Sequence, residues 1–127
     1  SQRLVPRADG KGRVAAVEIM LSTARIRELI MEHATARTIT ENIAKGFVAY
    51  GMQTFDQSLL TLLQGGMITY EEAMHQCSNP DDFALRVSGV ASAENESAWA
   101  NFEPSKGSKA SSDGDDFNLD EFEIERF

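Results

Sequence analysis

Five helix start signals follow one another at short intervals between Ser22 and Gly89. Ser22-Thr23, Thr38, Thr54, Thr69 and Asn79 each stand just ahead of a stretch with helical apolar spacing. A side-chain oxygen at such a position accepts a hydrogen bond from a free N–H of the first turn, worth about 1 kcal/mol. So many starts leave no room for a long helix, and the segment must fold as a bundle of about five short ones.

The first runs from Ser22-Thr23 to about Ala34, with Ile26, Leu29, Ile30 and His33 at i, i+3, i+4 and i+7 on one face. Arg25, Arg27, Glu28 and Glu32 lie mainly on the other side. Thr38-Ile39-Thr40-Glu41 has capping-box spacing and predicts a helix carrying Ile43, Phe47 and Tyr50 that stops at Gly51. Thr54-Phe55-Asp56-Gln57 opens the next, with Leu59, Leu60, Leu62 and Leu63 inside and Gly65-Gly66 as the stop. Thr69-Tyr70-Glu71-Glu72 opens a short helix with Ala73, Met74 and Cys77. Asn79-Pro80 opens the last, which buries Phe83 and Val87 and ends at Gly89; its proline lacks an N–H where none is needed.

Ahead of the helices the pattern is that of a β-hairpin. Gln2 to Pro6 reads as a short strand, and Asp9-Gly10-Lys11-Gly12 as a turn. Arg13 to Leu21 reads as a strand covered on both sides, because its apolar residues fall on both faces. A lone hairpin is marginal in water, so this one is expected to form the edge of a larger sheet. The missing initiator Met fits an N-terminus cut from something longer. The fold class is α-rich (α+β), with a hairpin over 1–21, a helical subdomain over 22–90 and a tail over 91–127.

Charge separates the tail from the rest. The net charge is -8; residues 1–90 hold ten acids and nine Lys or Arg, and residues 91–127 ten acids and three. With no broad basic face, nucleic acid is not an expected partner. No apolar run is long enough to span a bilayer, and the first residues lack the apolar core of a signal peptide. Cys77 is the single cysteine, which fits a reducing cytoplasm. Around Trp99 and Phe102 a weak helix is expected, followed by a flexible linker over 103–116. Phe117, Leu119, Phe122, Ile124 and Phe127 then stud an acidic strip. It reads either as a solubilising disordered tail or as a docking motif that folds on a partner.

Signals of catalysis are incomplete. Gly10-Lys11 has the ending of a phosphate-binding loop, but Val5 stands where its first Gly belongs and Gly12 where its Ser or Thr belongs, so the reading is a plain turn. Glu72 and His75 form one Glu-x-x-His unit where a di-iron bundle needs two, and His75 with Cys77 does not complete a zinc site. Cys77 with His33 or His75 could pair as nucleophile and base, but its place on the apolar side makes it a small core residue. The helix pair over 54–77 offers Glu71 and Glu72 where a DNA reader needs cations. No catalytic, cofactor-binding or metal residue is assigned.

Several blocks carry a resemblance. Gln2-Arg3-Leu4-Val5-Pro6-Arg7 followed by Gly12-Arg13-Val14-Ala15-Ala16-Val17-Glu18-Ile19-Met20 resembles the start of the C-terminal region of the type IV pilus retraction ATPases, the motors of twitching motility. Ile26-Arg27-Glu28-Leu29-Ile30-Met31-Glu32 is similar to that family's Ala-Ile-Arg-Asn-Leu-Ile-Arg-Glu block, matching at Ile26, Arg27, Leu29, Ile30 and Glu32 and departing at Arg25, Glu28 and Met31. Gly51-Met52-Gln53-Thr54-Phe55-Asp56-Gln57-Ser58-Leu59-Leu60, Ile68-Thr69-Tyr70-Glu71-Glu72-Ala73 and Asn79-Pro80-Asp81-Asp82-Phe83 also match. The resemblance covers about residues 1–90.

It implies a hexameric secretion-type ATPase with a RecA-like core at the cytoplasmic, inner-membrane base of the pilus machine. It implies that the phosphate loop, the acidic magnesium-side boxes and the His box lie upstream of Ser1. ATP and Mg are therefore expected in the full-length protein and no cofactor in this part. The family block acts in retraction rather than nucleotide binding, so Ile26, Arg27, Leu29, Ile30 and Glu32 are candidates for motion coupling and assembly. The implied partners are a homo-hexamer and the inner-membrane pilus platform protein, without direct membrane insertion. The rival expectation is a non-enzymatic helical interaction module with an acidic aromatic docking tail.

Overall fold

The computed structural model describes residues 1–89. A two-stranded antiparallel hairpin, β1 (Gln2–Pro6) and β2 (Arg13–Val17), precedes six helices. These are α1 (Ala24–Met31), α2 (Ala36–Lys45), α3 (Phe47–Tyr50), α4 (Phe55–Gln64), α5 (Tyr70–Gln76) and α6 (Pro80–Val87).

The hairpin pairs Arg3 with Ala16 and Val5 with Val14. Gly10 and Gly12 take φ of 70° and 88° in its turn, and the Asp9 carboxylate accepts the Lys11 N–H at 2.9 Å. Val5 and Ala16 are fully buried, whereas Leu4, one residue over, is 54% exposed. The expectation of a strand covered on both sides is thus corrected: the sheet packs through one face. β2 also stops at Val17, because the backbone of Ile19 pairs instead with Gln53 in an isolated bridge (2.8 and 2.9 Å). Met20 and Leu21 beyond it are exposed.

The caps at Thr23, Thr54, Thr69 and Asn79 all form, each side chain accepting the N–H three residues on. Thr54 and Gln57 complete a reciprocal capping box. Four expectations are corrected. Thr35, not Thr38, caps α2, so that helix begins a turn early and Glu41 pairs with Arg37 at 3.1 Å instead of reaching back. The predicted 38–51 helix is two, broken at the buried Gly46, and Tyr50 points outward. The first helix ends at Met31 because His33 adopts φ 55°, with His33 N–H to Ile30 O (3.1 Å) and Ala34 N–H to Leu29 O (2.9 Å) closing a Schellman motif. His33 is therefore outside the helix and exposed. Val87 is likewise on the outer side of α6 rather than buried.

Two apolar clusters result. The larger joins the hairpin to the last three helices through Val5, Ala16, Leu59, Leu60, Ile68, Ala73 and Phe83. Leu62, Leu63, Met74 and Cys77 pack against it, half-buried. The smaller joins α1 to α2 and the segment before α4 through Ile26, Ile43 and Met52. A fully buried aromatic of Phe83's size contributes roughly 3–5 kcal/mol, so the larger cluster dominates the energetics. Residues 91–127, including the expected weak helix, the linker and Phe117, Leu119, Phe122, Ile124 and Phe127, lie outside the described residues.

Candidate functional site

The block singled out for motion coupling folds as α1 and its C-cap. Its five residues divide by face. Ile26 and Leu29, three apart, are buried. Arg27 and Glu32 are exposed, Ile30 is 49% exposed, and Met31, where the block departs from the family pattern, is 80% exposed. One side of α1 thus roots the helix and the other presents a mixed apolar and charged surface. The Arg27 guanidinium donates to the Ser22 carbonyl, which holds it along its own helix start. Arg25 is paired with Glu28 on the same outer side.

The segment behind α1 carries the connections that fix it. Gln53 joins the hairpin strand end by its backbone bridge to Ile19 and by its side-chain amide, which donates to the Val17 carbonyl at 2.7 Å. Ser58 Oγ accepts the Val17 N–H at 3.0 Å. Gln57, fully buried, accepts the Thr54 N–H at 2.9 Å and donates to the Ala44 carbonyl at 3.4 Å, linking α4 to the end of α2. Asp56 accepts the N–H groups of Ser78 (2.8 Å) and Asn79 (3.3 Å), which fixes the entry to α6. Within the six residues from Gln53 to Ser58, four side chains tie α4 and the segment before it to the hairpin, α2 and α6. Each satisfies a backbone group that would cost about 1–3 kcal/mol if buried alone. Sequence periodicity missed them because it ranks apolar positions; the visible clue was Gln57-Ser58 sitting next to Leu59-Leu60 on a helix that must be covered.

A cleft of about 380 Å³ opens where the hairpin end meets α2, α4 and α6, lined in part by Glu18, Arg37, Glu41, Asp56 and Asp82. Arg37 is held by Glu41 there, and Asp56 is engaged with the α6 amides. No group of three His, Cys, Asp or Glu is arranged to hold a metal among the described residues. The Cys77 thiol donates to the Met74 carbonyl at 3.3 Å, and burial, with the Asp56 charge adding, pushes its pKa up. A thiol held protonated is a poor nucleophile. Glu72 accepts from the Gln76 side chain at 3.0 Å and His75 is exposed, so that unit is a helix surface.

The hairpin turn does not fit a phosphate. Val5 is buried in a strand, the Lys11 N–H is taken by Asp9, and Arg7 bonds both to the Gly12 carbonyl through its N–H and to Asp9 through its guanidinium. A phosphate loop needs those amides free. No described helix is long and apolar enough to cross a membrane.

No protein-family model matches the chain. Three curated proteins do. It is 38% identical over 87 residues to the type IV pilus ATPase PilU of Pseudomonas aeruginosa, covering 68% of this chain and 22% of that protein. A twitching motility protein of Neisseria gonorrhoeae is 37% identical over 85 residues, covering 67% and 22%. The type IV pilus retraction ATPase PilT of P. aeruginosa is 40% identical over 83 residues, covering 65% and 23%. The chain thus spans less than a quarter of the length of the relatives it matches.

Proposed function

We propose that this chain, which shares about two thirds of its length with type IV pilus ATPases, is the C-terminal assembly and motion-coupling part of such a motor. The full protein would be a cytoplasmic hexamer at the inner-membrane base of the pilus machine, powering retraction. ATP and Mg²⁺ would be held by residues outside this chain; in the turn over Asp9–Gly12 the Gly10 and Lys11 amides are already taken by the Arg7 carbonyl and the Asp9 carboxylate.

The observation that carries this reading is the division of α1. Its buried side is joined through the Ile26, Ile43 and Met52 cluster to a segment bonded directly to the hairpin. Its outer side leaves Arg27, Ile30 and Glu32 available to a neighbour. A displacement of the hairpin is passed to α1 as a rigid-body shift, because the polar links at Gln53, Gln57 and Ser58 leave little slack. The hairpin's outer edges support a place in a larger sheet. Arg7 with Gly12 and Ser1 with Glu18 form hydrogen-bonded pairs, so the N–H groups of Leu4 and Ala15 point away from the partner strand. Pro6 falls on the same outward phase, where its missing N–H costs no ladder bond.

The test is made in the full-length protein. Arg27→Ala and Glu32→Ala should abolish or strongly reduce pilus retraction while ATP hydrolysis stays near the unmodified rate. Loss of hydrolysis in step with retraction, or normal retraction in both variants, would reject a coupling role for this surface.

A further inference from the structure

We infer that Arg3 is a positioning residue of the motor: it clamps the first strand of the hairpin to the ends of α4 and α5 and sets the angle at which hairpin motion reaches the helices. The inference rests on the coupling role proposed above. Strand alternation puts Arg3 on the inner face of the hairpin, two residues from the fully buried Val5 and opposite Ala16. The apolar cover ends there, and Arg3 is exposed. Its guanidinium lies over the Phe55 ring, 4.4 Å from the centroid, and its Nη1 donates to the Gln76 carbonyl at 2.9 Å. One side chain thus touches the first residue of α4 and the last of α5.

Both partners suit a guanidinium. The Phe55 ring is half-buried and packed against the larger apolar cluster, which makes it a fixed plate. A cation is drawn to the electron-rich face of an aromatic ring. Gln76 closes the last turn of α5, where carbonyls lack intrahelical donors and the helix end carries partial negative charge. A planar guanidinium stacks and donates at the same time, which the compact ammonium of lysine cannot do.

The clamp adds what the core does not supply. Val5 and Ala16 anchor the hairpin through apolar contact, which has no preferred direction. β2 has directed links at its end, where Val17 meets the side chains of Gln53 and Ser58. β1 has its own at Arg3, and the backbone adds Ala8 N–H to Met67 O at 2.9 Å beyond the far end of the strand. The two strands are therefore fixed at separate points on the helices. Without Arg3 the hairpin keeps its core contacts but can tilt about the β2 links, so a displacement is absorbed at the joint instead of passed on as a rigid-body shift. An exposed contact of this kind adds little to stability. Folding survives its loss, and so does hydrolysis at a site outside this chain.

The test measures pilus retraction speed and ATP hydrolysis on the same full-length variants. Arg3→Ala should slow retraction roughly twofold or more while hydrolysis stays near the unmodified rate. Arg3→Lys should keep the defect, because charge alone does not restore the stack. Phe55→Leu retains apolar bulk without the ring face and should reproduce it. Arg3→Ala combined with Phe55→Leu should be no slower than either change alone, since both break one contact. Normal retraction in Arg3→Ala, full rescue by Arg3→Lys, or additive defects in the double variant would overturn the clamp. Hydrolysis falling in step with retraction would overturn it too, because that marks a merely structural role. Arg27→Ala separates the two claims. Normal retraction there rejects the coupling reading and this inference with it; loss there beside normal retraction in Arg3→Ala rejects the clamp alone.

Discussion

Asp56, in the first turn of α4, accepts the backbone N–H of Ser78 at 2.8 Å and so holds the start of one helix to the entry of another far along the chain. Its second oxygen takes the Asn79 N–H at 3.3 Å. Asp56→Ala removes both acceptors and should cost about 1–3 kcal/mol. For a domain of this size that lowers Tm by about 4–8 °C per kcal/mol. Asp56→Asn keeps one acceptor and should fall between the two, which thermal unfolding of the three proteins checks.

His33 is the one described non-glycine residue with positive φ, at 55°. Gly66 does the same work after α4, at φ 69°, with matching bonds to Leu63 and Leu62. A side chain in this region costs about 1 kcal/mol that glycine does not. His33→Gly should therefore raise stability by roughly 0.5–1 kcal/mol, whereas Gly66→Ala should lower it by a similar amount. Urea unfolding with an unchanged m-value would verify both.

Asp9 sits beside Arg7, whose side-chain hydrogen bond, helped by the Lys11 N–H, lowers the carboxyl pKa from 3.8 to about 2. A folded pKa below the unfolded one means the contribution is complete above 3.8 and disappears as pH falls toward about 2. The pair is exposed, so its effect on stability is small. The carboxyl carbon of Asp9 should titrate near 2 by NMR, and Arg7→Ala should return that midpoint toward the ordinary range.

Ile26 and Ile30 lie one turn apart on α1, and their substitutions should separate rooting from display. Ile26→Ala empties a buried site and should cost about 2–5 kcal/mol. Ile30→Ala removes a half-exposed side chain and should stay within roughly 1 kcal/mol. Equal losses in thermal unfolding would show that the outer side of α1 is not a free surface.

Much of the fold was legible because its signals are local. Thr23, Thr54, Thr69 and Asn79 each cap through an N–H three residues on, and the Gly10 and Gly12 turn depends only on backbone sterics. Such contacts form wherever the chain folds, so residue type and spacing announce them. The misplaced cap at Thr38 shows the limit: Thr35 offered the same chemistry one turn earlier, and the packing of Ile39 and Ile43 decided between them.

The amino-acid order by itself determined the hairpin, its turn, the starts of most helices and the residues able to serve as core. The tertiary structure alone decided which side of α1 faces outward, where α2 breaks at Gly46, and that Gln53, Asp56, Gln57 and Ser58 bind the pieces together. Those bonds join residues 13 to 41 positions apart. Whether a polar side chain meets such a distant backbone group depends on how the intervening helices pack, and no short-range pattern encodes it.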